Sequence, residues 1–365
     1  MTYCTKRTAS MRPLALLTLF MLLLASCGHK DEKELEQEHA TGVVLVKNTS
    51  FYEVALPNGE SLFFTNYDPD DGIKGLAFSV DSVERATSFG TGFFVDTDGT
   101  IATNAHVVSN TTSDKDVQKS MGEFFDALKR ILQIEYNNKL SQLQEIDYAY
   151  NVANYSPEVS YTDFYTIKEI RDNAIAELQE MESTYAEIDK MRPSDTEVKY
   201  HNEVSIAYND THVTNDTDFI GCVISKVDSE HDLALLQLKD KHTPNGKFIF
   251  TVPVEDPFET YSFTDKIKSK ISGDKNEKLY LHGFNLGPSL AITEEGLKAQ
   301  FTNGSVSQHT ADRLMYTIPS LPGSSGSPVV NRDGELVAIN FAGINGTQSF
   351  NYGVRVKHLR ALLDK

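Results

Sequence analysis

The sequence predicts a mainly β protein interrupted by one long helical segment, and three observations predict it. Short apolar–polar alternations with glycine turns fill the stretch from Thr41 to Val95 and return after residue 197. Between them, apolar residues recur at three-four spacing, the mark of helix faces. Small residues then crowd around one serine in Gly323-Ser324-Ser325-Gly326-Ser327-Pro328, the composition a strained turn needs to present a hydroxyl beside free backbone amides.

The elements follow in order. Lys6, Arg7 and Arg12 precede the apolar run Leu14–Leu24, which ends in Leu24-Ala25-Ser26-Cys27. The run is too short to span a bilayer comfortably and reads as a signal peptide over residues 1–26. Small residues followed by cysteine resemble the lipobox of bacterial lipoproteins, which implies lipidation of Cys27 as the first mature residue. Residues 27–40, with Lys30-Asp31-Glu32-Lys33-Glu34 at their centre, read as a solvated tether. The expected location is the bacterial cell envelope, lipid-anchored in the outer membrane, with the periplasmic and surface-facing sides both open.

Residues 41–110 and 197–245 are expected to form a first β-barrel. Val44 and Val46, Phe51 and Val54, and Leu62 and Phe64 alternate around turns at Pro57-Asn58-Gly59 and Asp70-Asp71-Gly72, and Glu203–Leu238 completes the set. Residues 246–365 are expected to form a second barrel from Leu279–Phe284, Leu297–Val306, Leu314–Ile318, Val329–Phe341 and Ser349–Val356, closed by a short helix at His358–Leu363. The insertion at 111–196 reads as an antiparallel helical hairpin. Its first helix runs from Asp114 to about Tyr150. The second carries Phe164, Ile167, Ala174, Leu178, Met181, Tyr185 and Ile188 as a heptad seam, with a turn at Asn154-Tyr155-Ser156-Pro157 and a stop at Pro193. Helices of this length reach about 45 to 50 Å, so the hairpin is expected to project, either as an arm for a protein partner or self-association or as a hairpin that packs its seam on itself.

A serine is a poor nucleophile at neutral pH and needs a base, itself held in one tautomer by a third group. Thr103-Asn104-Ala105-His106-Val107-Val108 supplies an imidazole after the run that begins at Gly90, and His231-Asp232-Leu233-Ala234-Leu235-Leu236 supplies a carboxylate. The chain order is histidine, aspartate, serine. In Gly90-Thr91-Gly92-Phe93-Phe94, Thr103–Val108, Asp232–Leu236 and Gly323–Pro328 the chain resembles the trypsin-like serine proteases. The likeness is to the HtrA-type and glutamyl-endopeptidase branches, and it extends through Leu336–Asn340 and Phe350–Val354.

That resemblance implies a double six-stranded, chymotrypsin-like β-barrel with the site in the cleft between barrels. It also implies a serine endopeptidase acting through an acyl-enzyme, with His106, Asp232 and Ser325 as catalytic residues and the Gly323-Ser324-Ser325 segment as the oxyanion hole. Pro319 and the strand Asn340-Phe341-Ala342-Gly343 are the expected substrate-binding positions, the strand pairing with extended polypeptide. Pro319 replaces the acid that a preference for Lys or Arg would require, and Asn340 replaces the histidine of the glutamyl endopeptidases, leaving small or medium apolar side chains as the expected preference. No PDZ domain is expected after the closing helix. The alternative function is a non-catalytic peptide-binding or scaffold lipoprotein that uses the same fold and the helical arm.

Charge narrows the partners. The chain carries 34 basic and 52 acidic residues, a net charge of −18, and loss of Lys6, Arg7 and Arg12 with the leader takes this to −21. Nucleic acid is thereby excluded, and membrane contact is expected only through the lipid. The histidines show no paired ligand spacing, so neither a metal nor another cofactor is expected. Of the cysteines Cys4, Cys27 and Cys222, only Cys222 remains in the folded part, which forbids an internal disulfide and suggests a buried, inert thiol.

Overall fold

The structure is a computed structural model that describes residues 31–259, 273–343 and 350–365. The expected signal peptide and Cys27 lie outside the described residues. Strands follow in the order β1 (Val43–Ala55), β2 (Ser61–Phe64), β3 (Asn66–Asp68), β4 (Gly72–Lys74), β5 (Ala86–Phe94) and β6 (Thr100–Thr103), then β7 (Glu197–Tyr208), β8 (Ile220–Asp228) and β9 (Leu233–Leu238). After them come β10 (Lys278–Gly283), β11 (Ile292–Thr293), β12 (Gly296–Leu297), β13 (Gln300–His309), β14 (Arg313–Tyr316), β15 (Pro328–Asn331), β16 (Leu336–Gly343) and β17 (Asn351–Arg355).

The predicted double barrel is present. Strands β1-β5-β6-β9-β8-β7 form a sheet that β7 closes by pairing back to β1, while β10-β13-β14-β17-β16-β15 form a second closed barrel. Six strands in a ring leave an interior that side chains fill, and alternation decides which ones. In β9, Ala234 and Leu236 point into the first barrel beside Val44, Val46, Phe94 and Ile101. Leu233 and Leu235 face the other way into a core shared with Phe93, Tyr280, Phe284, Ile339 and Leu359. The second barrel is filled by Leu279, Leu281, Leu314, Tyr316, Val329 and Val337. One strand thus serves two cores, which requires both of its faces to be apolar.

The chain divides into two compact units. One takes the described residues up to Asn48, Ser88–Ser109 and Glu203–Lys365, and so contains the second barrel and most of the first; the other takes Thr49–Thr87 and Asn110–Asn202. This differs from a division into two barrels plus a hairpin at 111–196. Residues 49–87 belong with the hairpin because Tyr52, Val54, Leu62 and Phe64 share a core with Val117, Met121 and Phe125 at the start of its first helix.

The hairpin consists of helices Asp114–Tyr155 and Tyr161–Lys190. At about 1.5 Å per residue the first is about 63 Å long and the second about 45 Å. Ala153, Ala174 and Leu178 are buried, whereas Ile131 is 53% exposed. Polar pairs join the helices as well: Arg171 Nε with Asp147 Oδ1 at 2.6 Å, Tyr136 Oη with Glu182 Oε1 at 2.7 Å, and Lys139 with Glu177.

Part of the stretch expected to be tether is helical. Glu32–Ala40 is a helix that buries Leu35 and His39, and Glu32 accepts bonds from Lys278 Nζ and Tyr280 Oη on β10. Two inward side chains four residues apart are enough to seat a helix whose other positions are mostly charged. No helix among the described residues is long and apolar enough to cross a membrane.

Candidate active site

All three expected catalytic residues fall in the unit that holds the second barrel and most of the first. His106 lies in the single helical turn Ala105–Val108 that follows β6, and this turn buries Ala105, Val107 and Val108 while leaving the imidazole at the surface. Asp232 opens β9. Its carboxylate grips one residue twice: Oδ2 lies 2.7 Å from His106 Nδ1, and Oδ1 accepts the His106 backbone N–H at 2.9 Å. A carboxylate only accepts, so Nδ1 carries the proton and Nε2 presents its lone pair outward.

That grip is built on an unusual backbone. Asp232 has φ of +54°, a left-handed conformation that costs a residue with a Cβ about 1–2 kcal/mol. Asn104, buried just before the histidine, donates from Nδ2 to the Asp232 carbonyl at 2.8 Å. Asn104, two residues before the base, therefore fixes the backbone of its orienting carboxylate.

Ser325 comes from the turn before β15. Gly323 and Gly326 on either side have φ of +98° and +89°. A Cβ at Gly326 would lie 2.0 Å from the Thr91 carbonyl oxygen and one at Gly323 would lie 2.5 Å from the Phe284 carbonyl oxygen. Both positions require glycine, for conformation and for space. Among the described residues, neither the Gly323 nor the Ser325 backbone N–H has a hydrogen-bond partner, as a site for a developing oxyanion needs.

Ser324, expected with these donors, is a correction. Its N–H is committed to the Leu321 carbonyl at 3.0 Å, so it offers no donor to an oxyanion. The Ser324 hydroxyl also turns inward, donating to the Leu321 carbonyl at 2.7 Å and meeting Ser320 Oγ at 2.7 Å.

Asn340 is a second correction. Its side chain, 1% exposed, cannot line a substrate surface. Its Nδ2 donates to the Ser324 carbonyl and to Ser320 Oγ, both at 3.0 Å, while Oδ1 accepts from the buried Tyr316 hydroxyl at 2.8 Å. It braces the serine turn from beneath. Pro319 is exposed and Phe341 half-buried, as substrate contacts would be. The Ala342 and Gly343 backbones pair with Tyr352 and Asn351 of β17, whereas pairing with β15 stops at Ile339. Asn340 still bonds across to the segment before β15, its N–H to the Ser327 carbonyl and its carbonyl to the Gly326 N–H, so only beyond Asn340 is the opposite edge of β16 without a strand partner among the described residues.

The Ser325 hydroxyl donates to the Phe341 carbonyl at 3.4 Å, and no hydrogen bond joins it to His106 Nε2 among the described residues. A bond this long is at the limit of a useful interaction, so little holds the hydroxyl in that rotamer.

Thr91, quoted above only as part of a glycine-rich motif, is the site residue that sequence reasoning passed over. It is fully buried and joins the first barrel to the serine turn with its whole polar complement. Its N–H donates to the Ser325 carbonyl and its hydroxyl to the Gly323 carbonyl, each at 2.8 Å, and the hydroxyl accepts Phe284 N–H at 3.0 Å. Its carbonyl accepts the Thr103 hydroxyl at 2.7 Å. The only local signal is a small β-branched polar residue between two glycines.

Cys222 is partly buried, and burial pushes its thiol up to about 12, which makes it a poor nucleophile.

Residues 191–339 match the family model described as a trypsin-like peptidase domain. The match includes Asp232 and Ser325 but stops short of His106. No curated protein matches the chain. Among solved structures, the serine endoprotease from Yersinia pestis aligns at 11% identity with a TM-score of 0.42, covering 92% of this chain and 66% of that one. The chain thus spans just under two thirds of that protease, and the double barrel described above follows from its own strand pairing.

Proposed function

We propose that the protein is a serine endopeptidase that hydrolyses polypeptides through an acyl-enzyme. The observation that carries this reading is the doubly held His106–Asp232 pair, whose remaining ring nitrogen is left available, in the same unit as a glycine-flanked serine beside two free amides. Turning about χ1, the Ser325 hydroxyl gives its proton to His106 Nε2 as its oxygen bonds to the substrate carbonyl carbon. The carbonyl oxygen takes the negative charge and is held by the N–H groups of Gly323 and Ser325. His106 then passes the proton to the leaving amine as the C–N bond breaks, and water repeats the sequence to release the acid. Asp232 keeps the imidazole in one orientation and stabilises its charged form.

The edge of β16 beyond Asn340, without a strand partner among the described residues, supports binding of extended polypeptide by strand addition, which uses main-chain groups and selects little for sequence. The leader and Cys27 support a lipid-anchored envelope location, in which the acyl chain alone tethers an acidic protein. In the helical insertion, the paired charges and buried alanines favour a hairpin that packs on itself, with self-association or a protein partner as its further use.

A fluorophosphonate probe tests the catalytic reading. Covalent labelling of the wild-type chain that is abolished in Ser325→Ala and His106→Ala is expected. A folded wild-type chain that resists the probe and cleaves no denatured polypeptide would make the site a peptide-binding cleft, a reading favoured by the Ser325–Phe341 bond.

A further inference from the structure

The histidines are scattered along the sequence, yet the fold gathers two of them with a carboxylate beside the candidate active site. His231 immediately precedes Asp232, Asp312 sits in the turn between β13 and β14, and His358 lies in the first turn of the carboxy-terminal helix Val356–Asp364. One potential ligand atom from each lies within 4.8 Å of the other two. We propose that His231, His358 and Asp312 form a binding site for a borderline divalent cation of the zinc class.

Three features beyond proximity support the site. The first is the ligand set, since two imidazoles and one carboxylate, with water as a fourth ligand, make a tetrahedral environment suited to zinc. The second is the support behind it. Asp228 Oδ2 lies 3.0 Å from His231 Nδ1 and Asp228 Oδ1 accepts the His231 backbone N–H at 3.2 Å. This fixes the ring tautomer with Nε2 as the donor to a metal, the role carboxylates play behind metal-bound histidines.

The third feature is the contact between His358 and Asp312. His231 and His358 stack with centroids 3.8 Å apart and planes inclined by 19°, so one ring turns about its side-chain torsions to direct both in-plane lone pairs at one ion. His358 Nε2 is 3.1 Å from Asp312 Oδ1, close to the separation of two ligands on one tetrahedral ion, so a cation can replace the proton they share. A cavity of about 190 Å³, whose wall includes Glu230, Asp232 and Arg313, adjoins two of the three ligands, His231 and Asp312.

Three segments distant in sequence meet here, so occupancy ties the start of β9, the β13–β14 turn and the final helix together. Metal uptake is measured directly and does not depend on the protease reading.

The test titrates the tag-free full chain with Zn2+ in a calorimeter and with Co2+ by visible absorption. One Zn2+ per chain and a tetrahedral Co2+ spectrum are expected. Both are expected to be lost or weakened more than tenfold in His358→Ala and in Asp312→Asn, which alters an exposed side chain and leaves the fold intact. Asp228→Asn, which alters only the support, is expected to weaken binding roughly 10–100-fold. Absence of binding by the folded wild-type chain, or Asp312→Asn and His358→Ala binding as tightly as wild type, overturns the site.

Discussion

His282 on β10 should make this protein acid-labile through a single imidazole. Its side chain is 1% exposed, and among the described residues neither ring nitrogen has a hydrogen-bond partner. The ring lies 4.5 Å from Phe301 and 5.6 Å from His39, centroid to centroid. Burial, reinforced by repulsion from His39, lowers it from the ordinary value of 6.5 to about 3. Above 6.5 it is neutral in both folded and unfolded chains and has no linkage effect. Below 6.5 the unfolded chain binds a proton that the folded chain excludes, so stability falls as pH falls, until the folded value is reached.

Each unit of separation is worth about 1.4 kcal/mol, so the full loss approaches roughly 4–5 kcal/mol near pH 3, and about 2 kcal/mol is already gone at about pH 5. His282→Leu removes the titration and two unpaired polar atoms at similar volume. Urea unfolding, followed by tyrosine fluorescence because the chain has no tryptophan, compares both proteins at about pH 7.5 and about pH 5. Wild type should lose about 2 kcal/mol more than the variant between those conditions, other carboxylates and histidines cancelling in the difference. Equal losses in the two proteins would refute a buried neutral imidazole at this position.

Further predictions concern the supports of the serine turn and of the second barrel. Thr91→Val keeps the shape but strands the Gly323 carbonyl and the Phe284 N–H, so it should cost about 1–3 kcal/mol in urea unfolding and slow fluorophosphonate labelling. Asn340→Ala leaves the buried Tyr316 hydroxyl without its acceptor and the serine turn without its brace. A loss of similar size, about 1–3 kcal/mol, is expected by thermal denaturation, with slower labelling of Ser325. Arg355 and Asp256 form a buried ion pair, with Nε 3.0 Å from Oδ2 and Nη2 2.7 Å from Oδ1 but off the hydrogen-bond direction. Asp256→Asn should destabilise by up to about 3–5 kcal/mol because it leaves a buried guanidinium with only the half-exposed Glu259, 3.6 Å from Nη1, as a counter-charge; an unchanged melting temperature would show that Glu259 or solvent compensates the arginine.

Much of the architecture is readable because it depends on local pattern. Ala234 and Leu236 against Leu233 and Leu235 show it best, since a strand apolar on both faces belongs between two cores and period two assigns each side chain to one of them. The Pro57-Asn58-Gly59 and Asp70-Asp71-Gly72 turns are equally local, with positive φ at Gly59 and Gly72. The unread parts depend on distance along the chain. Thr91 reaches a carbonyl 232 residues away, and no window around it shows that partner. His231, Asp312 and His358 lack ligand spacing because β-barrel topology, rather than a helix repeat, brings them together. Glu32–Ala40 looks solvated because only Leu35 and His39 turn inward, and two residues are too few to establish a period.

Asp232 marks the boundary between the two kinds of information. Its identity as the partner of His106 follows from the motif, but its left-handed φ does not, since aspartate adopts that conformation only where surrounding contacts impose it. The Asn104 bond to its carbonyl supplies the contact, across 128 residues. Asn104→Ala should therefore release strain and orientation together. The histidine and aspartate remain in place along the chain while Asp232 relaxes, so labelling of Ser325 should slow even as the protein stays folded. If labelling proceeds at the wild-type rate in a folded Asn104→Ala chain, the grip of Asp232 on His106 is held by the carboxylate alone and the strained backbone does not contribute to it.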